Sequence, residues 1–184
     1  MALGSVDQFK ARLAGGGARP NLFQVNLNNP RGGLGVDIDA DLTSFMCEAT
    51  SLPASTIGTL IVPFRGRQLK LAGDRTFDVW TTTIINDVNF KLRNAFETWM
   101  NAIVNHADIG GVSQNLNQYC ADLTVTQFDR DESIKKVYSF KDAWPSEVST
   151  IDLSYATGEE IERFTVTWTY QYWTSNTTDG INAA

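Results

Sequence analysis

Histidine is almost missing from this chain: His106 is the only one in 184 residues. Ser-His-Asp triads, Cys-His pairs and zinc centres all draw on imidazole, and one ring can barely serve any of them. His106 falls at the end of a helical segment without a catalytic partner nearby in sequence, and is expected to face solvent. Cysteine is almost as scarce. Cys47 and Cys120 stand alone in strand-like segments without CxxC spacing, and they read as buried reduced thiols, with a disulfide as the alternative. No apolar run approaches the ~18 residues of a membrane span, and the first residues lack a signal-peptide core. The expectation is a protein with no membrane anchor, made in a cytoplasm-like compartment. Basic charge is also short: 15 Lys and Arg stand against 21 Asp and Glu, for a net charge of −6. That removes the positive footprint of a protein that grips nucleic acid. An acidic surface can still meet DNA by repelling it and leaving it mobile.

Other catalytic signatures are absent as well. There is no GxSxG elbow and no Walker A loop, and Gly15 to Gly17 precede no phosphate-binding pattern. Asp37, Asp39, Asp41 and Glu48 occupy positions 1, 3, 5 and 12 of a calcium-loop pattern. Leu42 sits where that loop needs glycine, so the segment reads as a solvated acidic loop. Asp74, Asp78, Asp122, Glu147, Asp152, Glu159, Glu160 and Glu162 are scattered, and nothing singles out a glycosidase-type pair among them. Asn176-Thr177-Thr178 matches a glycosylation sequon, which has no meaning without secretion. No catalytic, cofactor-binding or metal-binding residue is expected, and no cofactor.

What the chain does have is β-sheet chemistry. Leu69 to Ile85 reads as one strand returning into another through an Ala72-Gly73-Asp74-Arg75 turn. Leu69 and Leu71 alternate with polar residues before it, and Phe77, Val79, Thr81, Thr83 and Ile85 share a face after it. Ile161 to Trp173 reads as the longest strand, with Phe164, Val166, Trp168, Tyr170 and Tyr172 on one face. Arg163, Thr165, Thr167, Thr169 and Gln171 make the other face polar and nearly uncharged. Further strands are expected at Phe23–Leu27, Phe45–Ala49, Thr56–Pro63, Ala121–Val125 and Lys135–Lys141. Ala143-Trp144-Pro145 is expected to break this last strand and Val148–Tyr155 to resume it. The Asn28–Leu34 stretch is loop chemistry.

Two helices are expected. Ser5-Val6-Asp7-Gln8 fits a capping box, with Val6, Phe9 and Leu13 on one stripe and the glycines after it. So short a helix is marginal alone and needs a docking surface. The long helix runs from Lys91 to Val104. It carries Leu92, Ala95, Phe96, Trp99, Met100 and Ile103 on its apolar face, and Asn86, Asp87 and Asn89 are its N-cap candidates. The fold class is mainly β: a β-sandwich or half-open barrel of antiparallel strands with one packed α-helix. The chain reads as a single domain over 1–184, with 1–18 a tethered N-terminal arm and 174–184 a flexible C-terminal tail.

Several stretches together carry a resemblance. They are Ala18-Arg19-Pro20-Asn21-Leu22-Phe23-Gln24-Val25, Cys47-Glu48-Ala49-Thr50-Ser51-Leu52-Pro53-Ala54 and Ala72-Gly73-Asp74-Arg75-Thr76-Phe77-Asp78-Val79-Trp80. Ala143-Trp144-Pro145 and Phe164 to Trp173 complete the order. From about Arg19 to Trp173 the chain resembles the tail tube proteins of contractile-tailed, T4-like bacteriophages. The resemblance implies homo-hexameric rings that stack into a hollow tube, with strands from six subunits forming a continuous β-barrel around the lumen. It also implies a sheath protein outside, baseplate and terminator proteins at the ends, and double-stranded DNA passing through without specific binding. The protein would be assembled in the bacterial host cytoplasm and end in the virion tail.

Sheet edges left open in one subunit are closed by such a ring, and stacked rings need a second, axial contact. Ile57 to Lys70 and the N-terminal helix are the expected axial contacts, and Asp78, Glu48 and Glu162 the expected inward-facing acids. Asn28–Ser44 and the tail from Thr174 depart from the family pattern. Two alternatives remain open on the sequence. One is the tube of a bacterial contractile injection system carrying protein cargo. The other is a monomeric β-sandwich that binds a ligand through exposed Trp80, Trp168 or Trp173.

Overall fold

A computed structural model describes residues 5–13, 16–107, 115–156 and 158–178. Among these, the body is a strongly bent antiparallel sheet. Its strands are β1 (Phe23–Asn26), β2 (Cys47–Thr50), β5 (Trp80–Ile85), β6 (Ala121–Phe128), β7 (Ile134–Val148), β8 (Arg163–Thr169) and β9 (Tyr172–Ser175), and its spatial order is β1-β6-β7-β8-β5-β2, with β9 added to β7. The remaining strands, β3 (Thr56–Phe64) and β4 (Arg67–Thr76), form a separate two-stranded sheet. The helices are α1 (Val6–Arg12), α2 (Ala40–Met46), α3 (Lys91–Ile103) and α4 (Leu116–Tyr119).

The bend comes from β7. Its first part pairs with β6 and β9, and Trp144 to Val148 pair with β8. Ala143-Trp144-Pro145 does not end the strand as the sequence suggested; it turns the strand from one half of the sheet into the other. Asp142 just before it has φ +53, and the register slips both there and after Pro145. A bulge bends a strand without ending it, and a proline is tolerated where the ladder is already interrupted. Beyond Val148 the chain leaves the sheet, so the strand expected over Val148–Tyr155 is not formed.

Between the two halves lies an aromatic core. Trp80 stacks on Phe140 with ring centroids 4.3 Å apart, and Trp168 meets Trp80, Phe96 and Trp99. Helix α3 supplies Leu92, Ala95, Phe96 and Trp99 to this core, as its periodicity predicts. Its start differs from expectation. The N-cap is Phe90 in the left-handed region (φ +54), with no side-chain cap, while Asp87 accepts from the Asn89 N–H and Asn86 donates to Glu162.

Other boundaries also move. Residues 40–46 are helical, so the strand expected from Phe45 begins only at Cys47; Asp39 accepts from the N–H groups of Asp41 and Leu42 and caps α2. Phe45 is then 85% exposed instead of lining a strand. On β5 the buried side chains are Trp80, Thr82 and Ile84, so Thr81, Thr83 and Ile85 belong to the outward face. The long C-terminal strand divides: β8 ends at Thr169, and β9 turns to pair with β7. Thr174 and Ser175, assigned to the mobile tail, are therefore in the sheet, and residues 179–184 lie outside the described residues. Gly110-Gly111 and Gly15, the expected helix ends, also lie outside them.

Candidate assembly surface

The hairpin β3–β4 departs most from expectation. The turn is not at Ala72–Arg75, where β4 runs straight through, but at Arg65-Gly66. Both residues have positive φ, +47 and +79, which matches the tight two-residue turns whose twist suits paired strands. Gly73 lies where a Cβ would come within 3.2 Å of the Gly58 carbonyl oxygen, beside the register slip between Ile57 and Thr59. The two glycines let the backbones close up at that bulge.

Every residue of β3 and β4 is exposed, including Ile57, Leu60, Ile61, Val62, Phe64, Leu69 and Leu71. An apolar ribbon with both faces in solvent is unusual in a monomer and marks an interaction surface. Its root, by contrast, is anchored. The Trp173 indole N–H donates to the Ala54 carbonyl at 3.2 Å, and that of Trp80 to Ser51 at 2.9 Å. On the other side of the root, Phe77 packs edge-on against Trp173 and tilted against Tyr170.

A second surface is the outward face of β2, β5, β8 and the end of β7. Thr81 lies opposite Thr167 and Thr83 opposite Thr165, with Thr169 and Glu147 beside them. Arg163 at the end of β8 donates to Glu48 in β2, which pairs those two charges, while Glu147 adds one acid beside the threonines. This is the polar, nearly uncharged face read from the sequence. The edge strand β2 has no partner on its far side among the described residues. A third surface is α1, capped reciprocally by Ser5 and Gln8 and with no buried residue. Its last residue Arg12 and the chain after it, at Leu13, Gly17 and Ala18, lie beside the β6–β7 turn.

No described residues group as metal ligands: of the calcium-loop residues, Asp39 is committed to its cap and Glu48 to Arg163. The expected inward acids are not gathered. Asp78 sits at the hairpin root, Glu48 at the opposite end of β5 with Arg163, and Glu162 holds Asn86. His106 is exposed, its backbone N–H on Asn101. Cys47 and Cys120 are free and buried, and burial pushes their thiols up to about 12 and about 11. Trp80 and Trp168 are buried in the core and Trp173 is half-buried at the hairpin root, so the monomeric binding module loses the exposed tryptophans it required.

Sequence comparison decides the family. A family model for phage tail tube proteins matches residues 18–176. The chain is also 34% identical over 170 residues to tail tube protein gp19 of Enterobacteria phage T4, covering 91% of this chain and 97% of that one. This chain belongs to the phage tail tube protein family. Another tail tube protein, from Serratia phage KSP90, is 26% identical over 165 residues, 89% of this chain and 92% of its own. Among solved structures, the fold is similar to one from the sheath–tube complex of an extracellular contractile injection system (PVC). There the TM-score is 0.62 at 13% identity, covering 95% of this chain and 99% of that one. A chain from the cap of the anti-feeding prophage gives a TM-score of 0.64 at 16% identity, covering 96% and 94%. Tail tube proteins are structural components of the virion, and this one is not an enzyme.

Proposed function

We propose that this tail tube protein forms hexameric rings that stack into the inner tube of a contractile tail, with the whole chain acting as one tube subunit. The observation that carries this reading is the fully exposed apolar hairpin on an anchored root. A ribbon of that kind gains its stability from a neighbour rather than from its own body. The four-strand surface β2-β5-β8-β7 is the part that joins its copies around the ring, through the open edge of β2, and turns its threonine face to the lumen. Hydroxyls and a paired Arg163–Glu48 offer phosphates neither a cation to hold them nor a strong field to trap them. Double-stranded DNA would pass such a wall without specific binding.

The hairpin serves as the axial contact between rings, and α1 as a second contact to a neighbouring copy. A sheath protein encloses the tube, baseplate and terminator proteins close its ends, and assembly takes place in the host cytoplasm. Negative-stain electron microscopy of the purified protein over a range of concentrations tests the reading. Six-fold rings or hollow tubes are expected. A dispersed monomer at every concentration, even with a baseplate nucleator present, would overturn it.

A further inference from the structure

The hairpin differs in charge from the rest of the chain. Arg65, Arg67, Lys70 and Arg75 against Asp74 leave it at net +3, in a chain whose total is −6. A surface of opposite charge lies in the segment between β7 and β8. Over residues 149–163, Asp152, Glu159, Glu160 and Glu162 against Arg163 give net −3. Asp152, Leu153, Ser154, Tyr155, Glu160 and Glu162 line a cleft of about 410 Å³ there. Leu153, Tyr155 and Ile161 stand exposed around it, and Asn86, which donates to Glu162, is buried with its Oδ1 left without a partner.

The two surfaces lie at opposite ends of the same sheet. The hairpin leaves after Thr50 and re-enters at Trp80, and Thr50 pairs with Thr82 while Trp80 pairs with Trp168. The cleft segment is flanked by Val148, opposite Val166, and by Arg163, opposite Ile85. Within one chain the hairpin is therefore rooted at the end away from the cleft, and two copies arranged head to tail bring the root of one toward the cleft of the other.

Resting on the axial role of the hairpin proposed above, we infer that the β3–β4 hairpin of one copy docks into the Asp152–Glu162 cleft of the copy in the next ring. Apolar side chains of the ribbon meet Leu153, Tyr155 and Ile161, while Arg67 and Lys70 meet Asp152 and Glu160. A head-to-tail contact between two different patches closes into a ring only where its rotation closes; directed along the tube axis it does not close and extends a stack. The charges fix its polarity, since hairpin against hairpin and cleft against cleft both repel.

Charge reversal tests this. The hairpin variant is Arg67→Glu with Lys70→Glu, and the cleft variant is Asp152→Lys with Glu160→Lys; all four residues are exposed, and thermal melts are checked to match the parent. Each variant alone is expected to raise the concentration needed for tube elongation at least tenfold, leaving rings. The chain carrying all four changes, and an equimolar mixture of the two variants, are expected to recover tubes. If the hairpin variant elongates normally, the axial role of the hairpin falls, and this inference with it. If the hairpin variant is blocked but the cleft variant elongates normally, the axial role stands and the cleft is not the receiver. Two blocked variants with no recovery in either combination also overturn the docking.

Discussion

The indole N–H of Trp168 donates to the hydroxyl of Thr82 at 3.0 Å, and both side chains are wholly buried. This is a polar contact between neighbouring strands β8 and β5 in an otherwise aromatic core. Replacing Thr82 with valine keeps the shape and leaves a buried donor unmet, which costs about 1–3 kcal/mol. Urea unfolding followed by tryptophan fluorescence should show that loss, with Thr82→Ser much closer to the parent. A Thr82→Val protein as stable as the parent would mean that the contact contributes nothing.

Gly32 donates its N–H to the Gln118 carbonyl at 2.8 Å, and a Cβ there would lie 2.7 Å from that oxygen. Nothing flexible can yield, because the neighbour is backbone. Gly32→Ala is expected to push the 28–35 loop off α4 and lower the melting temperature by several degrees, on the order of 1–3 kcal/mol. Gly33→Ala next to it meets open space but has φ +71, so its cost is backbone strain of about 1 kcal/mol without displacement of α4.

Asp122 ties the same loop to the bend of β7. It accepts from Arg31, from Lys141 and from the backbone N–H of Asp142. Burial pushes its carboxyl up, but Lys141, the Asp142 N–H and Arg31 together outweigh that and hold it below the ordinary carboxylate value. A lowered carboxylate stabilises the fold at pH above its unfolded value of about 3.9, and that stability is lost as pH falls through the folded value. Asp122→Asn should therefore melt earlier than the parent at pH 7, with the gap closing below about pH 4. A gap unchanged at low pH would assign the effect to packing.

Cys47 and Cys120 behave in the opposite sense. Their thiols keep the proton well above the ordinary value near 9, because burial penalises the thiolate. The unfolded chain then releases these protons first as pH rises, so stability falls between pH 9 and about 12. Cys47→Ala is expected to flatten that alkaline decline. In the folded protein at pH 8 neither thiol should react with a soluble disulfide reagent until denaturant is added.

Trp173 holds the hairpin root through its bond to Ala54 and its edge contacts with Phe77 and Tyr138. Trp173→Ala should speed limited proteolysis at residues 51–56 and 76–79 more than elsewhere, and weaken tube growth. Trp173→Phe, which keeps a ring but not the donor, should fall between. Uniform proteolysis across the chain would show global destabilisation instead.

Much of the fold was readable because its signals are local. The stripe of Leu92, Phe96 and Trp99 marks α3, and alternation of Ala121, Leu123 and Val125 marks β6. Errors arose where the structure depends on distant partners. Ala72-Gly73-Asp74-Arg75 has turn composition, yet Gly58 on the opposing strand makes Gly73 part of a bulge. Pro145 looks like a strand end, and only the pairing with Trp168 across the bend shows otherwise. The strand read over Phe45–Ala49 holds only from Cys47, because the helix capped by Asp39 takes in Phe45 and Met46. The assembly surface was half visible: exposure of the hairpin on both faces cannot be read from alternation, which assumes that one face is buried.

β7 gives the subunit a mechanical property. Because one covalent strand belongs to both halves of the folded sheet, they cannot slide past each other as two stacked plates could. Shear along the subunit loads the ladders on either side of Asp142–Pro145 together with the backbone between them. Hydrogen-bond ladders pulled in shear share force among many bonds at once, whereas a greasy interface between separate layers would creep. In the stacked tube proposed above, each subunit would bring that stiffness to the wall.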